Sequence, residues 1–595
     1  PKPRTIHIKQ YNSGGITLHI IPTDEEVELA ADLLVNKYNV SAQLLGQLFG
    51  TNQREQSNSI MKSLGGTQLS RLDVARLLVH RKGPSLFAGG EEVTRELRMQ
   101  LLKKLSDKEI QDLFDRYPAT NGKILSPSYM RKPLAERKWY SGKNWAKDFV
   151  ASLGFPLIFA GVMQAEKVPT IYEVSPLKVP PKLTAFQEGL KIKMLEVLKH
   201  DGTKTRCMVT LPTGGGKTRV AVEAFIEWLQ PRFAEGQYLV WVAQSEELCE
   251  QAIACIEQMW GSRDFPSSLR IYRFFGGRSV SLEDFRIRGG VVVASIQQLY
   301  SRIKTSDEAL ETILKNTGAM IIDEAHRAVS PMYDSLLNKA EELCGQDLFP
   351  ICGLTATPGR AGLNREEETN KLVERFQMYL VKPDLGKEYE EDPERYFREH
   401  GFLARAHHIV NQLGMEYELT DDEFNKIDGS GDLPLGFLKR LADDNDRNLH
   451  IVRRLLKLPE STPTLVYACT VEHAYFLSVI LTAQGRKSGA VSAETPMTLR
   501  RGLIQDFKEG KIEFLCNYGV LTTGFDAPQT QCIALCRPTT SEVLYEQIIG
   551  RGLRGPKFGG TPECTIIDFA DNIHRLGRSL AYKRFDHLWS DSKTE

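Results

Sequence analysis

No excess of either charge sign marks this chain of 595 residues: 76 lysines and arginines face 76 aspartates and glutamates. That balance excludes a uniformly basic surface, although a local basic channel can sit inside a neutral total. No cysteine pair has C-x-x-C spacing; the ten stand singly at 207, 249, 255, 344, 352, 469, 516, 532, 536 and 564. A zinc ribbon or disulfide framework is therefore not expected, and buried reduced thiols in a cytoplasmic protein are. No apolar run approaches the ~20 residues that span a bilayer, and no secretory signal opens the sequence, so no membrane partner is expected. Repeats of 20–50 residues, low-complexity tracts and a metal-dependent nuclease pattern are missing as well. With 41% hydrophobic and 26% charged residues, the chain reads as globular, and its length suggests roughly three to four domains.

The three prolines of PLKVPPK (176–182) break the periodicity and mark a linker. Before it, residues 1–176 read as a mainly helical α+β accessory domain. Strand-like alternation runs over Thr5 to Ile8 and Ile16 to Ile21, and EEVELAADLLVNKY and VTRELRMQLLKKL carry helical spacing. After Leu183, short apolar runs (CMVTL, YLVWVA, GVVVAS, AMIIDEA, FPICGLTA) alternate with helical stretches, the pattern of a parallel sheet wrapped by helices. It pauses at the charged segment GKEYEEDPERYFREH (386–400) and resumes with TLVYAC, IEFLCN, QCIALCR and CTIIDF. The fold class is α/β, with tandem lobes at 183–385 and 400–595.

LPTGGGKT (211–218) follows one strand-like run and precedes the helical RVAVEAFIEWL. A strand, a glycine-rich turn and a helix together present backbone N–H groups and a positive helix end to phosphate. Pro212, Thr213, Gly214, Gly215 and Gly216 form the turn, and the glycines let the backbone approach closely. Lys217 would reach the β- and γ-phosphates, and the Thr218 hydroxyl would help hold Mg²⁺. The strict pattern asks for glycine at 211, where leucine stands. AMIIDEAH (319–326) is an apolar strand ending in two carboxylates; Asp323 suits a Mg²⁺ shell and Glu324 an attacking water.

Together these motifs resemble the DEAH-type helicases and translocases of superfamily 2, and the remaining motifs of that family follow in order over about 183–577. The resemblance implies two RecA-like lobes that use ATP and Mg²⁺. Leu183 to Gln187 is similar to the motif whose glutamine, here Gln187, reads adenine. VWVAQSEELCEQA (240–252) and VVVASIQQL (291–299) resemble nucleic-acid-contacting motifs. GLTATPGR (353–360) resembles the coupling motif, so Thr355 and Thr357, with His326 between, would relay hydrolysis to lobe movement. TLVYACTVEHA (464–474), LTTGFDAP (521–528) and YEQIIGRGLRGP (545–556) resemble the fourth, fifth and sixth motifs. By that resemblance Gly524 and Asp526 touch the nucleotide from the second lobe. Gln547, Arg551 and Arg554 share a helix face at this spacing and can point into one cleft; by the resemblance Arg551 and Arg554 face the γ-phosphate, with Arg554 as the arginine finger.

The sixth motif and CTIIDFADNIHRLG (564–577) look most like bacterial DNA-directed members, including RadD-like, RecQ-like and restriction or anti-phage helicases. The expectation is an ATP-dependent DNA helicase or translocase in repair or defence, with DNA favoured over RNA. The alternatives are an RNA helicase and an ATP-gated nucleic-acid-binding assembly subunit. The accessory domain is the candidate for nucleic-acid contact or for a protein partner such as a nuclease. There RKWYSGKNWAKDF (137–149) mixes lysine and arginine with aromatics, which suits either base stacking or an amphipathic packing helix. NVSAQLLGQLFG (39–50) is similar to a helix-turn-helix, and ordinary helix packing accounts for it too.

Overall fold

The computed structural model describes residues 21–65, 69–118, 126–161, 171–174, 182–263, 268–277, 289–345, 349–356, 366–389, 392–430, 432–521, 527–574 and 593–594. The chain separates into two compact units. The described residues of the first, which draws on 1–62, 66–166 and 495–503, are helical. Both sheets belong to the second, 167–494 and 504–595 with 63–65.

In the first unit, helices begin where short polar side chains cap them. The Thr23, Ser70 and Ser106 side chains each accept from the backbone of a residue three further on, and that residue's carboxylate reaches back to the cap. The strand-like residues 5–8 and 16–20 lie outside the described residues. In RKWYSGKNWAKDF the rings turn inward: Trp145 and Phe149 are buried, and Trp139 packs edge-on to Phe149 at 5.5 Å between centroids. Only Tyr140 of these aromatics is exposed, with Lys138 over its ring. The stretch at 39–50 holds the helix Ala42–Phe49, whose Leu44, Leu45, Leu48 and Phe49 are buried.

The second unit begins with eight strands: β1 (Ile171–Val174), β2 (Arg206–Thr210), β3 (Tyr238–Ala243), β4 (Leu269–Phe274), β5 (Gly290–Ser295), β6 (Thr317–Asp323), β7 (Ile351–Thr355) and β8 (Leu380–Val381). They form one sheet in the order β1-β4-β5-β3-β6-β7-β2-β8. All neighbours are parallel except β1 and β4. β1 falls within the segment expected to be accessory, yet it pairs at this sheet's edge. Every residue of β3 and β5 is buried. Helices on both faces require this of a parallel sheet, and it makes the strands read as unbroken apolar runs.

The later strands are β9 (Arg405–Glu418), β10 (Thr464–Tyr467), β11 (Ser488–Val491), β12 (Phe514–Asn517), β13 (Cys532–Leu535), β14 (Glu563–His574) and β15 (Lys593–Thr594). They form a second parallel sheet, β11-β12-β10-β13-β14-β9-β15. Two parallel sheets in series, each with helical crossovers, make the tandem α/β architecture. All ten cysteines are free, and among the described residues no helix is long and apolar enough to cross a membrane.

Candidate active site

β6, β7 and β2 are adjacent, and their carboxyl ends lie side by side, with Thr210 opposite Thr355 and Asp323 opposite Leu354. Open parallel sheets bind ligands at that edge. β2 runs into the glycine turn and β6 ends in the two carboxylates, so sheet order alone brings together residues more than a hundred positions apart.

In the turn, Gly214 and Gly216 both have φ of 85°. A Cβ on Gly216 would also lie 2.6 Å from the Gln187 amide nitrogen, so this position needs glycine for both reasons. Lys217 opens the helix Lys217–Leu229, and its Nζ donates to the Leu211 and Pro212 carbonyls at 3.0 and 3.3 Å. Gln187 stands beneath the loop with both ends of its amide engaged. Its Oε1 accepts from the Thr184 N–H at 3.1 Å, and its Nε2 donates to the Gly215 carbonyl at 3.2 Å.

Glu324 follows the tip of β6 with φ 51° and ψ 47°, a left-handed conformation uncommon for a side-chain-bearing residue. Its N–H donates to Asp323 Oδ1 at 3.0 Å, and its Oε2 lies 3.3 Å from His326 Nδ1. Arg327 Nε donates to His326 Nε2 at 3.4 Å. His326 Nδ1 thus faces both Glu324 and the Thr355 hydroxyl, the latter at 3.2 Å. Thr357, Gly524 and Asp526 lie outside the described residues.

The two carboxylates part in their electrostatics. Burial, then the charge of Glu324, pushes Asp323 up to about 7. Burial also acts on Glu324, but the His326 hydrogen bond and the charges of Lys217, His326 and Arg551 outweigh it and hold Glu324 below the usual carboxylate range. Burial pushes the Lys217 ammonium down against the pull of Glu324 and Asp323. An acid whose pKa is raised on folding binds more protons in the native state, so stability falls as pH rises. For Asp323 the window runs from its ordinary value near 4 to about 7. Asp323→Asn should therefore gain melting temperature over the wild type as pH rises from 5 to 8 in chelator. A constant offset across that range would refute the assignment.

The second lobe meets the loop through the segment after the helix Glu542–Ile549. A Cβ on Gly550 would lie 2.4 Å from Thr213 Cβ, and one on Gly214 would lie 3.9 Å from Arg554 Cα. The Arg551 charge acts on Lys217, Asp323 and Glu324. Gln547 is buried, and its Nε2 has no hydrogen-bond partner. Glu546, which sequence reading passed over, also acts on Lys217; its place beside Gln547 was the available signal. A cavity of about 530 Å³ borders this contact, lined by Leu211, Thr213, Phe397, Leu403, Glu546 and Leu553.

A second groove, of about 540 Å³, lies at the ends of β3, β4 and β5 and includes Gln244, Ser245, Gly277, Ser295, Gln297 and Gln298. Gln297 donates to the Gln244 carbonyl at 2.7 Å, and Gln298 accepts from the Gly277 N–H at 3.1 Å. The two first-lobe motifs, distant in sequence, thus share one polar wall.

Residues 181–360 match the family model "Type III restriction enzyme, res subunit", and 447–555 match "Helicase conserved C-terminal domain". IRC3 of Saccharomyces cerevisiae, provisionally named an ATP-dependent helicase, is 29% identical over 376 residues, 62% of this chain and 49% of that protein. Its Schizosaccharomyces pombe counterpart, provisionally named a mitochondrial ATP-dependent helicase, is 27% identical over 398 residues, 66% of this chain and 58% of that protein. The chain thus spans about half the length of these curated relatives. Among solved structures, Saccharomyces cerevisiae Dbp5 bound to RNA and ADP BeF3 is similar at 14% identity, with a TM-score of 0.46 over 68% of this chain and 88% of that one. With its two sheets, its ordered motifs and both family matches, the chain is similar, lobe by lobe, to helicases, including those of restriction systems.

Proposed function

We propose that the protein is a motor that couples ATP hydrolysis to movement on, or unwinding of, DNA, in repair or in defence against foreign DNA. The observation that carries this reading is the meeting of Lys217, Asp323 and Glu324 in one lobe with Arg551 from the other. Charges from two lobes on one pair of carboxylates make lobe closure and phosphate chemistry interdependent.

The residues present suit ATP with Mg²⁺. The unpartnered Gln547 Nε2 can donate to a phosphate oxygen or to the attacking water, and Asp323 with the Thr218 hydroxyl would hold the ion. Bound Mg²⁺ supplies positive charge to the phosphate oxygens. Lys217 would turn from the loop carbonyls to the β- and γ-phosphates. Glu324, ionised and oriented by His326, would take the proton from water, and Arg551 and Arg554 would stabilise charge growing on the γ-phosphate. Gln187, with both amide ends engaged, would hold the loop in shape, and the cavity beside Thr213 offers a seat for the base. His326 and Thr355 would carry the state of the site along β7, with Thr357 beyond.

The track would lie along the groove formed by the two first-lobe motifs, whose polar lining, with Glu246 and Arg302 its charged members, suits contact with a sugar-phosphate backbone. DNA is favoured over RNA on the resemblance of the sixth motif. The amino-terminal unit would recruit a protein partner such as a nuclease. Free thiols suit a reducing compartment, here read as the cytoplasm.

Steady-state hydrolysis should be measured with no nucleic acid, single-stranded DNA, duplex DNA, forked DNA and single-stranded RNA, with Glu324→Gln as the blank. We expect one DNA form to stimulate strongly and RNA not to. Stimulation by RNA alone would make it an RNA helicase. Equal hydrolysis throughout would sink the motor and favour an ATP-gated assembly subunit.

A further inference from the structure

Behind the arginine-bearing segment, three polar side chains meet inside the second lobe. The Tyr545 hydroxyl donates to Asp568 Oδ2 at 2.9 Å and lies 3.2 Å from His408 Nε2; His408 Nε2 in turn forms a close hydrogen bond with Asp568. Tyr545 is 1% exposed, His408 2% and Asp568 5%. His408 lies on β9 opposite Ile566, and Asp568 lies on β14 opposite Val410. Their side chains therefore share one face of the sheet, two positions apart. Tyr545 comes from the helix Glu542–Ile549, two residues before Gln547 and six before Arg551. At 100° per residue, Tyr545 and Gln547 point to opposite sides of the helix.

Burying a phenol, an imidazole and a carboxylate is unfavourable unless they satisfy one another, and an apolar trio could fill the same space. What the polar trio adds is direction: a hydrogen bond fixes the rotation of a helix that greasy contact would let slide. The same end of the lobe is fastened a second way. The Ala404 N–H donates to the Leu553 carbonyl at 2.9 Å, the Gly555 N–H donates to the Phe402 carbonyl at 3.0 Å, and Leu403 bridges Arg554. Phe402 and Leu403 themselves pack into the apolar core built on the first lobe. The residues just before β9 and the segment holding the arginines are thus joined by backbone bonds on both sides of Leu403 and Arg554.

We propose that Tyr545, His408 and Asp568 form a positioning network for hydrolysis, which presets the helix Glu542–Ile549 so that closure delivers Gln547 and Arg551 already oriented. The inference rests on the ATPase reading above. None of the three touches nucleotide; they act through the helix.

The test uses the full chain with Tyr545→Phe, which removes one oxygen, and Asp568→Asn as a second variant of equal size. Hydrolysis with the stimulating nucleic acid should show kcat reduced by about tenfold to 10²-fold, the scale of a small misplacement of catalytic groups. KM for ATP and affinity for a fluorescent ADP analogue should stay close to wild type, while melting temperature falls modestly with the lost buried hydrogen bond. Full kcat in Tyr545→Phe overturns the network. Loss of kcat in step with ADP affinity overturns it too, because that marks a merely structural role. Lys217→Ala separates the two levels. If it hydrolyses like the wild type, the ATPase reading fails and the network falls with it. If it is inactive while Tyr545→Phe is fully active, only the network fails.

Discussion

Glu324→Gln should bind ATP with near-normal affinity and lose hydrolysis by about 10²–10⁴-fold, the range that a positioned general base supplies. The amide has the carboxylate's size, and its oxygen can still accept from His326 Nδ1, 3.3 Å away in the parent, so the local geometry should hold. What is lost is the capacity to take a proton. The electrostatics choose Glu324 over its neighbour: its pKa is held down while that of Asp323 is pushed up to about 7. In the nucleotide-free protein the surroundings thus favour charge on Glu324 over charge on Asp323, which makes Glu324 the better placed base. The backbone agrees. A left-handed φ of 51° at a glutamate costs on the order of 1–3 kcal/mol, and it places the carboxylate against His326 at the carboxyl edge of the sheet. Lys217→Ala should behave differently, losing hydrolysis together with ATP affinity, since its ammonium is the loop's charge contact with phosphate. Equilibrium binding of a fluorescent ATP analogue, beside steady-state turnover, separates the two variants. Near-normal turnover in Glu324→Gln would move the base elsewhere.

Where chemistry demands a local backbone shape, the residues announced it. Strand, glycine turn and helix at 206–229 were legible because only glycine tolerates the φ of 85° at 214 and 216 and because a strand buried on both faces is apolar throughout. The carboxylates ending β6 were legible for the same reason, as charges halting an apolar run. Harder to see was anything made by residues that meet only after folding. Tyr545 and His408 are 137 positions apart, and nothing in HHIVNQ or DFADN marks one as the other's partner. The left-handed turn at Glu324 is equally silent, since glutamate has no preference that would suggest it. At 137–149 composition allowed either a stacking surface or a packing helix, and Trp145 and Phe149 are interior, because rings on a short helix have apolar neighbours to bury against. The adenine contact of Gln187 comes from resemblance alone. In the fold both ends of its amide are already committed, to Thr184 and to Gly215.

Arg554→Ala should keep ATP binding and lose hydrolysis by about 10³-fold or more, the scale of an arginine finger. Arg551→Ala should lose as much and raise KM as well. The difference follows from where each stands before nucleotide arrives. The Arg551 charge already acts on Asp323, Glu324 and Lys217. Removing it changes the ground-state site, and such a loss reaches KM. Arg554 lies against Gly214, with its backbone bridged to Leu403. From there its guanidinium can meet charge that develops on the γ-phosphate without first balancing the carboxylates, and a contact made only in the transition state lowers kcat and kcat/KM together. Lysine should not rescue either position, because a point charge lacks the planar fork that engages two phosphate oxygens at once. The decisive comparison is kcat and KM for both alanine variants at saturating track. A twofold change in Arg554→Ala beside a thousandfold loss in Arg551→Ala would transfer the finger to Arg551, the residue whose charge already reaches both lobes' chemistry.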